Sequence, residues 1–579
     1  MIQSVSMIAD ISVVEKSFGS KTLMTGVKFS IDAKEKVGVV GRNGVGKSTL
    51  FGILNGSDTD YTGDVIYRRG VQVVATAQEH HGLGEQTVLQ YILAGLPEYG
   101  ELSHIIETYP ATMGDDMKLI ERYSEALQRF DDKGFYQIES DIERELETFQ
   151  LPDVAHKLMT SLSGGQKRLV EVVKVMHSKA DLALIDEPTN HMDFVAKKQF
   201  IDWMNHAPEA MLVITHDRDV LAQVDRIIEL KDGSSQSFKG NYDDYLKQNA
   251  HSTGTAMNEF ELIEKRIINL KQKVIDYQRL KEKSRNPQTI QKFKRLEQES
   301  RKELAELQAK EKPTFWIDRE SAENLNYKVA NQYEKFKARN IKMNMKDASS
   351  RSSHVLVKAV NLSLGYDKPL FESVTIDLRE GEAIELRGRN GAGKSTLIKK
   401  LLGGNHSTTD SLRSRAGGYA PAGVASDKEQ LSSSSITVFD GELMLDSKVR
   451  VGVYEQEVSP DYFELTLKDA IERTYLDRNL PISETKIRGL MHDYLFIESD
   501  GHVPVAKLSG GQKARLQIIA MLANDPQLLI LDEPTNHLDL PSIEELEEAL
   551  KKYSGAVLYV SHDDYFRHAI AGEVIIIGN

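Results

Sequence analysis

The stretch GRNGVGKST at residues 41–49 returns as GRNGAGKST at residues 388–396. KVGVV at 36–40 is a short apolar run before the first copy, and AIELR at 383–387 takes its place before the second, so each copy predicts a strand, a glycine-rich loop and then a helix. Such a loop lets backbone N–H groups converge on phosphate at a helix N-terminus, where the helix dipole also favours an anion. The two stretches therefore predict two phosphate-binding loops in an α/β fold.

The side chains of both loops predict ATP and Mg²⁺ as ligands. Lys47 and Lys394 would neutralise phosphate charge, and Ser48 and Ser395 would ligate Mg²⁺. The loop residues that we assign to the nucleotide are Gly41, Asn43, Gly44, Gly46, Lys47, Ser48 and Thr49, and in the second copy Gly388, Asn390, Gly391, Gly393, Lys394, Ser395 and Thr396.

Further motifs follow each loop at matched distances. The first glycines of the loops are 347 residues apart, and the SGGQ stretches, the Asp-Glu pairs and the strand-ending histidines are each separated by 346. An offset that separate motifs share to within one residue is the mark of a duplicated domain. We therefore predict two ATPase domains in tandem.

An Asp-Glu pair ends an apolar run in each half, in LALIDEPTNHMD at 182–193 and LLILDEPTNHLD at 528–539. Two solvated carboxylates at a strand end are common, but here the phosphate loop already predicts such a strand. An aspartate at this place can hold Mg²⁺, and the adjacent glutamate can polarise an attacking water. We assign the aspartates to the metal and the glutamates to the general base: Asp186 and Asp532, and Glu187 and Glu533.

A histidine ends a further apolar run in each half, in AMLVITHD at 210–217 and AVLYVSHD at 556–563. A lone histidine after a strand is more often structural, but its repeated placement favours a function. We predict that His216 and His562 hydrogen-bond the γ-phosphate and position the attacking water.

Composition sets broad limits. The 579 residues are 40% hydrophobic, carry a net charge of −14 and include no cysteine, which excludes disulfides and thiolate metal sites. The N-terminus lacks a signal-peptide pattern, and no apolar run reaches the 18 residues of a membrane helix. We expect a soluble, cytoplasmic protein without a membrane partner.

The motifs and the composition of the intervening segments predict three regions. These are an ATPase domain at 1–246, a linker at 247–350 and a second ATPase domain at 351–579. The first domain carries an insertion of amphipathic helices at about 90–145, and the second a Gly- and Ser-rich insertion at about 404–440 that we expect to be a mobile loop.

The linker predicts an antiparallel helical hairpin with its tip near 284–289. Apolar residues recur at spacings of 3 and 4, and Pro287 separates them from a second helical stretch. The apolar positions are Phe260, Ile263, Ile267, Leu270, Val274 and Tyr277 before the tip, and Phe293, Leu296, Leu304 and Leu307 after it.

The tip of this hairpin is basic. Residues 279–295 hold seven basic side chains against Glu282 alone, a local charge of 7 − 1 = +6. A charge run is often only a solvated face, but a basic tip on an acidic chain is what contact with nucleic-acid phosphates requires. The candidates are Arg279, Lys281, Lys283, Arg285, Lys292, Lys294 and Arg295.

The LSGGQ stretch between each phosphate loop and its Asp-Glu strand resembles the signature of ABC ATPases. In that family the signature of one domain closes over ATP held by the loop of the other, which implies two composite sites, Lys47 with Ser509 and Lys394 with Ser163. The resemblance also implies a Mg²⁺ contact by a glutamine and adenine stacking by an aromatic residue. The residues implied are Ser163, Gly164, Gly165, Gln166, Ser509, Gly510, Gly511 and Gln512 for the signatures, Gln78 and Gln456 for the metal, and Phe18 and Tyr366 for adenine.

DEPTNHLD, two ABC domains in one chain and a charged helical linker together resemble the ABC-F family over nearly the whole chain. The resemblance implies a translation factor, a monomer with an intramolecular pair of ABC domains, that binds the ribosome near the tRNA exit site. Its linker would approach peptidyl-site tRNA or rRNA, and its helical insertion would contact the large subunit. The Gly- and Ser-rich insertion departs from the family pattern, as does NHMD in place of NHLD.

Three alternatives remain open at this point. The chain could be an antibiotic-resistance factor that protects ribosomes, although its linker is not obviously extended. It could be the energising ATPase subunit of a membrane importer, but such subunits generally lack a long basic hairpin. A DNA-repair ATPase would usually carry much longer coiled coils or cysteine-bound zinc.

Overall fold

The computed structural model describes most of the chain in two compact units, residues 1–241 with 341–579, and residues 242–340. We call the parts of the first unit before and after the hairpin the first half and the second half. Gln78, Gln456 and nearly all of the predicted insertion at 404–440 lie outside the described residues. The described residues are 7–19, 21–77, 85–114, 116–190, 192–309, 316, 318, 333, 337–343, 345, 354–403, 436–455 and 458–578.

The first half contains a mainly parallel sheet and an antiparallel sheet. The parallel sheet has the order β10-β9-β4-β8-β7-β6, with β10 antiparallel at its edge, and in the other sheet β2, β3 and β5 all pair with β1. The strands are β1 Met7–Phe18, β2 Lys21–Met24, β3 Val27–Asp32, β4 Lys36–Val40, β5 Thr62–Tyr67, β6 Val73–Ala75, β7 Leu182–Asp186, β8 Ala210–Ile214, β9 Arg226–Lys231 and β10 Ser234–Lys239.

The helices of the first half complete two hydrophobic cores. One core lies around the first helix between the two sheets, and the other joins the predicted helical insertion to the helix that follows SGGQ. The helices are α1 Lys47–Leu54, α2 Val88–Ala94, α3 Tyr99–Thr112, α4 Met117–Asp132, α5 Ile138–Thr148, α6 Gly164–Ser178, α7 Phe194–His206 and α8 Arg218–Leu221.

The second unit is a helical hairpin formed by α9 (Tyr242–Lys283) and α10 (Pro287–Gln308). Tyr277 stacks on Phe293, with ring centroids 6.3 Å apart. Arg266 forms an ion pair with Glu303 at 2.7 Å, so residues about equally far from the tip on α9 and α10 face each other, as in an antiparallel hairpin. The predicted antiparallel hairpin is confirmed, and α9 begins five residues before the predicted linker boundary at 247.

The second half repeats the plan of the first. Its parallel sheet has the order β15-β16-β17-β13-β18, and its antiparallel sheet the order β12-β11-β14. The strands are β11 Val355–Gly365, β12 Pro369–Arg379, β13 Ala383–Arg387, β14 Thr437–Leu445, β15 Val451–Tyr454, β16 Leu528–Asp532, β17 Ala556–Val560 and β18 Glu573–Ile576. The helices are α11 Lys394–Gly403, α12 Leu467–Leu476, α13 Glu484–Asp493, α14 Gly510–Leu522, α15 Leu540–Lys552 and α16 Asp564–Ile570.

This architecture places the predicted site residues at one edge of each parallel sheet. The loop 41–46 follows β4, Asp186 ends β7, and His216 follows β8. Because β4, β7 and β8 are parallel neighbours, their carboxyl ends share an edge, which is where α/β sheets bind ligands. The predicted fold class, two α/β ATPase domains joined by a helical hairpin, is confirmed.

Candidate functional site

Each phosphate loop turns directly into a helix. Lys47 begins α1, and its buried Nζ donates to the Gly41 carbonyl at 2.7 Å; Lys394 Nζ donates to the Gly388 carbonyl at the same distance. Gly46 has φ +106°, and a Cβ there would lie 2.9 Å from the side chains of β2 beneath it, so the position requires glycine. The lysines are thereby held where a bound phosphate would meet them.

The predicted metal ligands meet in both halves. Ser48 Oγ donates to Asp186 Oδ2 at 3.1 Å, and Ser395 Oγ donates to Asp532 Oδ2 at 2.9 Å. A hydroxyl and a carboxylate oxygen side by side, next to a phosphate loop, suit the oxygen ligation that Mg²⁺ prefers. The donor set therefore fits the ion. The two predicted glutamine ligands lie outside the described residues.

The predicted general bases, Glu187 and Glu533, occupy a strained and buried position. Their φ angles are +48° and +51°, in the left-handed region that few residues other than glycine adopt. Burial raises the pKa of Glu187 to about 8, with Asp186 adding to the effect, and raises the pKa of Glu533 to about 7. Each carboxyl is therefore poised to accept a proton near neutral pH.

The predicted histidines lie beside these glutamates. His216 Nε2 is 3.7 Å from Glu187 Oε1 and 3.1 Å from Lys47 Nζ, and His562 Nε2 is 3.2 Å from Glu533 Oε1. Burial, followed by the neighbouring lysine of the phosphate loop, lowers the pKa of His216 to about 3 and that of His562 to about 4. Both imidazoles are therefore neutral at physiological pH, with one nitrogen able to donate and the other to accept.

A cavity of about 610 Å³ joins the first-half signature to the second-half phosphate loop. Ser163 caps α6 from one side of this cavity, and Lys394 and His562 face it from the other. Tyr366, the predicted adenine-stacking residue, also lines it. Predicted site residues that line the cavity are Ser163, Gly164, Gly165, Gln166, Tyr366, Asn390, Gly391, Gly393, Lys394, Ser395, Thr396, Asp532, Glu533 and His562.

The reciprocal arrangement is also present. A Cβ added to Gly511, in the second-half signature, would overlap the side-chain amide of Asn43 in the first-half loop. Phe18, the other predicted adenine-stacking residue, lines a cavity of about 360 Å³ together with Ser48, Thr49 and Asp186. Each signature thus lies against the phosphate loop of the other half.

Two aspartates at this interface were not assigned a role by the sequence analysis. Asp193 Oδ2 accepts the backbone N–H of Asn390 at 3.2 Å, and Asp539 Oδ2 accepts that of Asn43 at 3.1 Å. The same side chains cap α7 and α15 in their own halves. Both aspartates end a repeated stretch, EPTNHMD or EPTNHLD, and this repetition could have identified them. Their contact with the other half could not be predicted from the sequence of one half alone.

The basic residues at the tip of the hairpin differ in their surroundings. Lys281 pairs with Glu297 at 2.7 Å, and the exposed Arg295 pairs with Glu299 at 2.8 Å. The other five predicted contacts are exposed: Arg279, Lys283, Arg285, Lys292 and Lys294.

The long helices of the described segments are too polar to cross a bilayer. The hairpin helices α9 and α10 carry charged residues along their whole length.

A profile of the ABC transporter family matches residues 24–190 and 371–536, more than half of the chain. The chain is 28% identical to ABC transporter F family member 5 of Arabidopsis thaliana over 97% of its own length and 74% of that protein. It is 26% identical to the energy-dependent translational throttle protein EttA of Mycobacterium tuberculosis, over 96% and 88%. It is 24% identical to the ribosome protection protein VmlR of Bacillus subtilis, over 96% and 84%.

A solved structure supports the fold independently. An archaeal ribosome recycling factor, aABCE1, crystallised with the ribosomal stalk protein aP1, superposes with a TM-score of 0.53 at 16% identity, covering 97% of this chain and 86% of that one. Two matched domains, the signature-to-loop geometry and a relative named as an F-family member over 97% of this chain lead to one assignment. The chain belongs to the ABC transporter family of ATPases, in its ABC-F branch.

Proposed function

We propose that the protein is an ABC-F translation factor that hydrolyses ATP at two composite sites and binds the ribosome near the tRNA exit site. The observation that carries the enzymatic part is the contact of each signature with the phosphate loop of the other half. The likeness to a translational throttle protein over 96% of the chain supports the part in translation.

Each composite site draws on both halves. The first combines Lys47 with the signature around Ser509, and the second combines Lys394 with the signature around Ser163. The loop amides and lysines bind the phosphates, and the aromatic residues Phe18 and Tyr366 stack on adenine. The signature serines cap their helices, so their N–H groups and helix dipoles favour an anion.

Mg²⁺ would be held by Ser48 with Asp186 and by Ser395 with Asp532, with Gln78 and Gln456 as further ligands. When bound, the ion neutralises charge that builds up on the transferred phosphate.

Glu187 and Glu533 accept the proton of the attacking water, for which their raised pKa values suit them. His216 and His562, neutral because of burial, donate a hydrogen bond to phosphate without adding positive charge. Removing a carboxylate that takes the proton costs about 10²–10⁴-fold in rate, whereas nucleotide binding rests on the loops and is retained.

The hairpin is the element that we propose to reach peptidyl-site tRNA or rRNA. Exposed arginine and lysine side chains at its tip match the phosphates of an RNA backbone. The insertion α3–α5 would contact the large subunit. The domain limits 1–246, 247–350 and 351–579, the monomeric state and the cytoplasmic location belong to the same proposal.

A second candidate function is protection of the ribosome from an antibiotic. It is favoured by the likeness to VmlR, which is named a ribosome protection protein. The two candidates share the ribosome and the ATP chemistry, and they differ in whether the chain restores translation in the presence of a drug.

The test uses the double variant Glu187→Gln, Glu533→Gln, which should keep ATP bound and the halves closed. With ATP, the variant should sediment with ribosomes through a sucrose cushion, and it should inhibit translation in a cell-free extract. The unsubstituted protein with ADP is the control. Recovery with membranes instead of ribosomes would favour the importer subunit and contradict the proposal. Drug-dependent rescue of translation by the unsubstituted protein would select the protection factor.

A further inference from the structure

The two halves do not meet symmetrically around their histidines. Residues 346 apart occupy equivalent places, and by this rule Lys197 on α7 corresponds to Ile543 on α15. Both side chains border a small polar cavity between the halves, which also contains His216 and His562. Lys197 of the first half therefore approaches the His562 segment of the second half. The equivalent place near the His216 segment holds the aliphatic side chain of Ile543.

Lys197 links the two halves through a buried ammonium group. Its Nζ donates to the backbone carbonyl of His562 at 3.2 Å and pairs with Asp217 at 2.9 Å and with Asp219. Burial opposes the charge on Lys197, but the two aspartates outweigh it, so the pKa of Lys197 is raised and the side chain stays protonated. The carbonyl oxygen of His562 thus accepts a hydrogen bond from a charged ammonium group.

The backbone N–H of His562 contacts Glu533, the proposed general base. The His562 N–H donates to Glu533 Oε2 at 3.2 Å. Lys197 of the first half thus fixes the carbonyl of His562. The N–H of His562 in turn orients Glu533, the carboxyl that accepts the proton. In the reciprocal site the side chain of Ile543 has no donor to offer to the carbonyl of His216.

A second pair repeats this polarity. Arg218, after His216, forms an ion pair with Glu547 at 3.1 Å, and its guanidinium lies 5.2 Å from the centre of the Tyr565 ring. By the same 346-residue rule, Arg218 corresponds to Asp564 and Glu547 corresponds to Ile201, so the equivalent pair in the other direction has no cation. Arg218 of the first half therefore meets an acidic and an aromatic side chain of the second half, and the reverse contact is not repeated.

We propose that Lys197 is a positioning residue for hydrolysis at the site built on Lys394, acting across the interface through the His562 backbone. This inference rests on the proposed function and deepens it, because it makes the two ATP sites unequal. The site built on Lys394 depends on a cation from the opposite half, and the site built on Lys47 does not.

The test follows hydrolysis at each site separately. A photoactivatable, α-labelled ATP analogue is bound with Mg²⁺, allowed one turnover and cross-linked, and the ADP fraction is measured on the peptide from each site. Losing a buried charge-assisted hydrogen bond that orients the base should slow cleavage about 10- to 100-fold. In Lys197→Met the analogue at the Lys394 site should therefore remain uncleaved while the Lys47 site cleaves normally. The total nucleotide bound at both sites should stay unchanged.

The controls separate positioning from folding. Lys197→Arg should restore part of the cleavage at the Lys394 site, whereas Lys198→Met, which removes an exposed charge from the same helix, should change neither site. Ile543→Met at the matched place should leave both sites active. Normal cleavage at the Lys47 site within the Lys197→Met protein shows that the chain is folded.

Four results would contradict either this inference or the proposed function. Normal cleavage at both sites in Lys197→Met, or equal loss at both, would overturn the inference. Absence of rescue by Lys197→Arg together with reduced nucleotide binding would mean that Lys197 only supports the fold. Failure of the unsubstituted protein to cleave at either site would instead contradict the proposed function.

Discussion

Each proposed hydrolysis site pairs a glutamate and a histidine whose pKa values are displaced in opposite directions. For His562 the folded pKa is about 4, below the unfolded value of 6.5, so between these values the unfolded chain binds more protons and stability falls as pH falls. For Glu533 the folded pKa is about 7, above the unfolded 4.5, so stability rises as pH falls through that range. The two contributions therefore oppose each other between pH 6.5 and 4.5.

We predict that His562→Gln makes the second half less sensitive to acid. Without the histidine the unfolded chain loses a proton-binding group, and the free energy of unfolding should gain up to about 1.4 kcal/mol per pH unit relative to wild type as pH falls below 6.5. Urea unfolding of both proteins between pH 7.5 and 5 measures this difference. His568→Gln, an exposed histidine in the same half, is the control. Parallel stability curves for His562→Gln and wild type would contradict the prediction.

At the scale of elements, the hairpin makes a prediction about charge. Replacing Arg279, Lys283, Arg285, Lys292 and Lys294 with glutamine should weaken ribosome binding and flatten its salt dependence by about 0.7–0.9 in log–log slope per lost phosphate contact. Affinity for ATP should stay the same, because the phosphate loops belong to the other unit. The measurement is co-sedimentation over a range of KCl concentrations.

The hairpin also supplies a matched control for that experiment. Lys265, Lys271 and Lys302 are exposed on the same helices but lie away from the tip, so their neutralisation should change binding less. An unaltered salt slope after removal of the tip charges would indicate that the hairpin is a protein-contacting spacer.

The helical insertion leads to a separate prediction. Helices α3 and α4 pack on each other and on an aromatic cluster in which Phe135 meets Tyr99 at 5.2 Å and Phe130 at 5.3 Å between ring centroids. Replacing residues 99–132 with a Gly/Ser linker should weaken ribosome binding and leave ATP binding intact, since α5 remains packed on α6. Equal ribosome affinity in filter binding would show that the insertion is not a contact. Phe130→Ala, which should loosen the insertion by about 3–5 kcal/mol without removing it, should give an intermediate result.

At the scale of the whole molecule, the proposed composite sites predict an effect across the chain. Ser509→Ala should impair cleavage at the Lys47 site and Ser163→Ala at the Lys394 site, because in this proposal each serine completes the site built on the loop of the other half. The site-resolved cross-linking assay distinguishes the two. The helix cap lost in each variant costs about 1 kcal/mol locally, so both should remain folded. Loss at the Lys394 site alone in Ser509→Ala would contradict the composite arrangement.

The contact between the two halves separates the site residues that the sequence predicts from those that it does not. The phosphate loops, the Asp-Glu strands and the histidines were readable because each lies in a contiguous motif whose neighbours predict its strand or helix. The hairpin followed from its apolar spacing and Pro287. Asp193, Asp539 and Lys197 were not assigned, since their roles depend on which surface of one half meets the other. No local pattern of propensity or periodicity encodes that placement.

The one-sided ion pair between Arg218 and Glu547 also bears on how such a chain could assemble from separately made parts. Two copies of the first half joined in this geometry would place Ile201 where Glu547 meets Arg218 and Asp219 where Tyr565 does, so the cation would keep an acidic neighbour. Two copies of the second half would instead set Glu547 opposite Asp564, with like charges in contact. The mixed pair avoids the like charges of two second halves. We therefore expect the second half, expressed as an independent polypeptide, to associate with the first half in preference to a second copy of itself, so the duplicated domains are no longer interchangeable.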